Sequence, residues 1–302
     1  MADADQGDSG RSAVTLAVGL MLAANALFTL TDTSTKWLLA AGFGALQLAF
    51  MRYAVQCAIT CITVARGDPA RLRLPQRIWA VLFFRAGLLV GATIVNFVAL
   101  KFLSLTVTSA IMFSAPIFVC LLSGPLLGEH IGTRQWAFVG IGFAGVLVVI
   151  RPFDANIEWA AAMMLIPALS MAFYSILTRK LAGDVHPAIM QLALGIVGTV
   201  CLAPLAVTTW HMPDAPLEWG LIFAIGTFAW AGHEFLIRAH KLAEAHFLMP
   251  FSYSYLVYMA VASAVVFGDA PDLPTLMGAG LITLSGILIW HNRRQSDTQT
   301  RQ

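Results

Sequence analysis

His233 and Glu234 stand side by side inside an apolar run. A carboxylate removed from water holds its proton more tightly than one in water, and a neighbouring imidazole can relay that proton. Such a pair suits the coupling of solute movement to a proton gradient. The competing reading pairs Glu234 with Arg238 at i, i+4 near the end of the same helix. Arg52 sits roughly eight residues into another apolar run, ~12 Å deep at ~1.5 Å per residue. It either meets a buried structural partner such as Asp32 or takes a carboxylate or phosphate from a bound molecule. Arg85 lies similarly deep and is expected to snorkel back to water. Asp32 and Lys36 are spaced i, i+4 and are expected to share an ion pair near an interface, with Asp32 also a candidate coupling group beside Glu234 and His233. Ionisable groups in such runs are costly, so function is their default reading.

Uncharged polar groups supply a second set. The run Pro250-Phe251-Ser252-Tyr253-Ser254-Tyr255 is followed by Tyr258. Pro250 frees a backbone carbonyl, which is tolerated where a cavity is lined. Tyrosine and serine offer hydrogen bonds and aromatic faces without charge, a lining suited to an organic solute. Tyr253 and Tyr255 are therefore solute-binding candidates, joined by Asn25, Asn96, Tyr174 and Trp230, with Trp37 beside them. Pro116, preceded by Ser114, marks a similar break in the first half of the chain.

Other patterns carry no chemistry. Cys57, Cys61, Cys120 and Cys201 all lie in apolar runs without zinc-site or disulfide spacing. Gly140, Gly142 and Gly145 match a dinucleotide-loop pattern, but it has meaning only between a strand and a helix. Close helix packing explains them better, as it does Gly87 and Gly91. The chain holds no P-loop, G-x-S-x-G or H-E-x-x-H motif. No metal, cofactor or nucleic acid is expected.

The elements that must position these residues are membrane helices. Of 302 residues 59% are hydrophobic and 11% charged, and mean hydropathy is +0.78. A water-facing shell needs about twice that charge. A span needs roughly 20 apolar residues. The pattern predicts spans at 13–38, 44–65, 77–100, 104–126, 132–150, 157–179, 187–209, 217–238, 244–267 and 273–291. Turn residues such as Gly67-Asp68-Pro69 and Gly268-Asp269 separate them. The ends, 1–12 and 292–302, are expected to be short, polar and unstructured cytoplasmic tails.

Lysine and arginine placement sets the expected orientation. With both termini cytoplasmic, Arg11, Arg66, Arg71, Arg73, Arg77, Arg134, Arg179, Lys180, Arg238, Lys241, Arg293, Arg294 and Arg301 fall inside, against Lys36, Lys101 and Arg151 outside. An even number of spans follows. Displacing the first half by 140 residues brings Lys101 onto Lys241, Gly128-Glu129 onto Gly268-Asp269 and Gly140 onto Gly280. A displacement of 144 brings Lys36 onto Lys180 and Gln47 onto Gln191. The expected fold is thus an all-α integral membrane protein of ten transmembrane helices, arranged as two five-helix repeats, 13–150 and 157–291. Five is odd, so the repeats are inverted, a plan suited to alternating access.

Ser109-Ala110-Ile111-Met112-Phe113-Ser114-Ala115-Pro116-Ile117-Phe118, Leu127-Gly128-Glu129-His130-Ile131-Gly132 and Gly145-Val146-Leu147 resemble the EamA domain of the drug/metabolite transporter superfamily. Leu48-Ala49-Phe50-Met51-Arg52 is similar to that family's second-helix arginine pattern. Met249-Pro250-Phe251-Ser252-Tyr253 and Gly268-Asp269-Ala270-Pro271-Asp272 resemble its second copy, with Asp269 where glutamate is usual. The resemblance covers nearly the whole chain. It implies a ten-helix carrier with a central cavity, driven by an ion or solute gradient in a bacterial inner membrane. Related carriers handle amino acids, S-adenosylmethionine, riboflavin or opine-type chelators, by import or export. The expected partners are therefore a small-molecule solute and the bilayer, with proton coupling, while pairing as a homodimer is not legible. A membrane enzyme acting on lipid-linked substrates is the alternative from another class. It predicts a clustered interfacial constellation of His and Asp, which the chain does not carry.

Overall fold

The computed structural model describes residues 2–68, 73–115, 118, 122, 133–150, 159–181, 184–208, 210–242, 251 and 254–300. Among them regular structure is helical only. The order is α1 (Ala2–Ala40), α2 (Ala45–Ala65), α3 (Gln76–Ala99), α4 (Leu105–Met112), α5 (Thr133–Ile150), α6 (Trp159–Met163), α7 (Leu165–Leu181), α8 (Pro187–Val207), α9 (Pro216–Leu242), α10 (Ser254–Phe267) and α11 (Leu273–Thr300). Six stretches are long and apolar enough to cross a membrane: Thr15–Ala40, Ala45–Ala65, Gln76–Ala99, Trp159–Thr178, Pro187–Val207 and Pro216–Ala239. Shorter apolar helices cover Gly140–Val149, Ser254–Phe267 and Leu273–Ser285. This is the build of a multi-pass membrane protein. The tails expected to be unstructured instead continue α1 from Ala2 and α11 to Thr300, because no proline interrupts either extension.

Local chemistry sets the boundaries. α1 stops at Gly42, whose φ of +99° suits a residue without Cβ. Its N–H reaches Leu39 O at 3.2 Å and that of Phe43 reaches Leu38 O at 3.0 Å, so the last carbonyls are satisfied while Phe43 folds onto the core. Ser104 caps α4 by accepting from Val107 N at 3.3 Å. His186 caps α8 through Nδ1, with Pro187 at the first helical position. α6 and α7 form one span divided at Met164, where Pro167 has no N–H to offer the Met163 carbonyl.

Each helix of the first half packs most heavily on one helix of the second. α1 lies on α9, α2 on α8, α3 on α7, α4 on α10 and α5 on α11. Small residues bring three of these pairs close, through Gly232 against Phe28, Gly195 and Gly198 against Cys57 and Tyr53, and Gly145 against Gly278. A Cβ on Gly145 would meet Gly278 O at 2.8 Å, and one on Gly278 would meet Gly145 O at 2.7 Å, so α5 and α11 touch backbone to backbone. The close-packing expectation holds for Gly145. It does not hold for Gly87, Gly91 or Gly140, which have open space where a side chain would stand. Outward faces are apolar: Val265 is 79% and Val207 73% exposed, a surface suited to lipid and costly in water.

Two ends of the bundle are fixed by contacts. Lys36 Nζ binds Asp269 Oδ2 at 2.8 Å, and Gln47 exchanges two hydrogen bonds with the His211 backbone. A cavity of about 220 Å³ joins Lys36, Gly42, Leu100 and Lys101. The turns after α1, α3, α8 and α10 therefore share one end, the Lys36 end. At the other, Leu82, Leu181, Val185 and Ile189 form a cluster with Val64 and Ile78, gathering the end of α2, the start of α3 and the α7–α8 turn.

Candidate functional site

Toward the Lys36 end, Asp32 on α1 is buried and held from two sides. The Tyr255 hydroxyl donates to Oδ2 at 2.5 Å, and Asn96 Nδ2 approaches Oδ1 at 3.4 Å. Three elements, α1, α3 and α10, thus meet on one carboxylate. Two turns earlier on α1, Asn25 Nδ2 donates to Ser254 Oγ at 2.9 Å and to Phe251 O at 3.1 Å, tying α1 to the start of α10. The expected Asp32–Lys36 pair does not form. Lys36 reaches Asp269 instead, because Asp32 faces the bundle interior and Lys36 faces the loop after α10.

At mid-bundle Arg52 on α2 is 7% exposed. Its Nη1 donates to Thr93 Oγ1 at 3.2 Å, and the guanidinium lies over the Tyr53 ring at 4.7 Å. Thr93 Oγ1 and Tyr53 Oη are 2.6 Å apart, and both hydroxyls also reach Leu89 O, at 2.9 and 3.2 Å. Leu89 and Thr93 lie one turn apart on α3, so Arg52 and Tyr53 are docked by a helix neighbour. Arg52 and Asp32 act on each other through space, without contact.

Arg85 does not snorkel. It is 4% exposed, donating from Nε to Thr178 Oγ1 at 2.7 Å and from Nη2 to Tyr174 Oη at 2.6 Å. Its guanidinium stacks on the Tyr174 ring at 4.0 Å. Because α3 packs on α7, the side chain meets hydroxyls before it can reach the interface.

His233 and Glu234 on α9 point to different neighbours. His233 is buried edge-on to Phe28 at 5.0 Å, and its Nε2 has no partner. Glu234 Oε1 accepts from Arg238 Nε at 3.0 Å, the i, i+4 pair, while Oε2 accepts from Gln191 Nε2 at 3.1 Å on α8. Trp230 is half-buried one turn before Glu234.

The structure therefore gathers Asn25, Asp32, Asn96 and Tyr255 in one group, Arg52 beside it, and Tyr174 with Arg85 in another. His233 is near enough to Arg52 and Arg85 to be acted on by both charges. Tyr253, Pro250, Pro116 and the 127–132 motif lie outside the described residues. Sequence reasoning missed Tyr53, Thr93, Thr178 and Gln56, and noticed Gln191 only as a repeat match. Polar residues one turn apart on a single face, such as Arg52 with Gln56 and Tyr174 with Thr178, were the available signal.

The EamA-like transporter family matches residues 15–151 and 158–290. A riboflavin transporter of Vibrio cholerae is 27% identical over 61% of this chain and 63% of its own. An S-adenosylmethionine uptake transporter of Rickettsia prowazekii is 26% identical over 63% of this chain and 65% of its own. The chain thus aligns with just under two thirds of the length of each. A crystal structure of a further protein superposes with a TM-score of 0.62 at 20% identity, over 92% of this chain and 96% of that one, a likeness of fold. Two matched copies spanning nearly every residue place this chain in the EamA-like transporter family.

Proposed function

We propose that this protein is a secondary-active carrier that moves a small organic metabolite across a bacterial inner membrane by alternating access. The observation that carries the reading is an inside-out distribution of polarity. Arg52, Arg85, Asp32, Gln56 and His233 are buried between helices whose outward faces are apolar. Groups this costly in a bilayer are kept where a polar solute passes. Relatives named for riboflavin and S-adenosylmethionine point to an organic metabolite carrying ring and polar groups.

The pairing of helices supports ten spans in two inverted repeats, 13–150 and 157–291. Take α6 and α7 as one span and exchange the halves, so that the first span maps on the sixth and so on. The α1–α9 contact then becomes the α7–α3 contact, while α2–α8, α4–α10 and α5–α11 map onto themselves. A two-fold relation between the halves has this property, and two such halves can swap conformations around a central site. Lysine and arginine placement supports cytoplasmic termini, with the Lys36 end outside. In this reading Arg52, Asn96, Tyr174, Tyr253, Tyr255, Trp230 and Asn25 line the solute path, and Glu234, His233 and Asp32 handle the coupling ion.

Purified protein in liposomes is expected to take up labelled riboflavin, S-adenosylmethionine or another member of a broad metabolite panel above protein-free controls. An imposed pH gradient accelerates that uptake, and Glu234→Gln removes the acceleration. A panel in which nothing moves sinks the carrier. Uptake indifferent to the gradient, with E234Q unchanged, sinks the proton coupling alone.

A further inference from the structure

Among the described residues the interior holds more positive charge than its carboxylates balance. Arg52 has Asp32 as a through-space counter-charge. Glu234 is engaged by Arg238 and Gln191. Among the described residues the ion pairs are Lys36–Asp269 and Arg238–Glu234, so no carboxylate touches Arg85. Its partners, Thr178 and Tyr174, are neutral hydroxyls. They fix the guanidinium plane without neutralising it. Nη1 is buried and has no hydrogen-bond partner. A buried charge left unpaired is strongly destabilising. Such an arrangement persists where something else completes it.

A second observation points the same way. His233 Nε2, on a side chain 9% exposed, is also unpartnered, and His233 is acted on by both Arg52 and Arg85. Gln56, one turn from Arg52 and fully buried, leaves both its amide nitrogen and oxygen unpaired. These open valences stand on α2, α3 and α9. The Asp32 group beyond them, by contrast, is closed by Tyr255 and Asn96. The Asp32 carboxylate is thus satisfied by this chain's own donors, whereas the Arg85 guanidinium keeps one buried N–H without an acceptor.

We infer that Arg85, oriented by Thr178 and stacked on Tyr174, is an anion subsite that takes a carboxylate or phosphate group of the transported solute. The inference rests on the carrier reading for the identity of the guest. Nη1 donates to the anion, and Nε and Nη2 stay with their hydroxyls. His233 Nε2 and the Gln56 amide take neighbouring polar atoms of the same solute. The class implied is an organic metabolite with one anionic group, which balances the one uncompensated charge.

The test compares matched probes that differ in that group. Riboflavin and flavin mononucleotide differ by a phosphate, and S-adenosylmethionine and its decarboxylated form differ by a carboxylate. Their dissociation constants are measured by calorimetry on the full chain in dodecyl maltoside, which carries no phosphate to compete. The wild-type protein is expected to prefer the anionic member of at least one pair by about tenfold or more, as a charge-assisted hydrogen bond provides. Arg85→Gln is expected to bring that ratio near one while leaving the affinity for the member that lacks the anionic group within about twofold, and Arg85→Lys to recover part of the ratio. Tyr174→Phe, which keeps the stacked ring, is expected to reduce the ratio less than R85Q. The inference is overturned if the wild type shows no anionic preference in either pair, or binds none of the four probes below millimolar concentration. It is equally overturned if R85Q weakens both members alike, since that marks a packing role. Binding that behaves as expected while liposomes move none of the four overturns the carrier reading and leaves the subsite standing.

Discussion

At the scale of single residues, Asp32 shows how a charge is kept inside an apolar bundle. Its two oxygens are served by Tyr255 and by Asn96, and the Tyr255 contact is much the shorter. Tyr255→Phe preserves the ring against Phe113 and removes the donor. The expected result is a loss of about 1–3 kcal/mol of stability in detergent, the cost of leaving a buried acceptor short of its partner. Asp32→Asn in the same background is expected to return part of it, because a neutral amide needs less compensation. Thermal unfolding of the two single variants and the double variant measures the coupling, and strict additivity would show that the contact contributes nothing. The Lys36–Asp269 pair is a weaker case. Asp269 is 43% exposed, and ion pairs in such settings contribute little on average.

At the scale of helices, association without a hydrophobic driving force depends on close approach. α8 presents Gly198 to Tyr53 on α2, and a Cβ there would lie 2.2 Å from Tyr53 Cγ. Gly198→Ala is therefore expected to cost about 1–3 kcal/mol through overpacking. Tyr53 also holds Thr93, the hydroxyl that Arg52 uses, so the same variant is expected to weaken solute binding. Gly87→Ala on α3 is the control, since nothing stands within 4 Å of the added carbon. It is expected to leave stability unchanged or raise it by up to about 1 kcal/mol through helix propensity. Equal melting temperatures for G198A and G87A would mean that α2 and α8 yield to the added carbon and are not in tight contact at Gly198.

At the scale of the whole molecule, the arrangement requires that turns at one end of the bundle share a side of the membrane. With the four native cysteines replaced, single cysteines at Asp68 and Asp184 are expected to react with an impermeant maleimide from one face, and those at Lys101 and Asp214 from the other. In the proposed orientation the first face is the cytoplasmic one. Labelling of positions 68 and 184 from opposite faces would break both the inverted repeat and the carrier built on it.

Composition and the run of apolar stretches were enough to place the chain in a membrane as helices, because a bilayer demands that every backbone polar group be satisfied within its own segment. They were also enough to pick Arg52, Asp32, His233 and Glu234, since charge in hydrocarbon is conspicuous in one dimension. Partners were not legible. Asp32 and Lys36 are ideally spaced to pair on an isolated helix, yet they join Tyr255 and Asp269, more than 200 residues away. Arg85 looked able to reach water, and α7 intercepts it with Thr178 and Tyr174. Helix spacing fixes which residues share a face, but only the crossing of helices decides what that face meets.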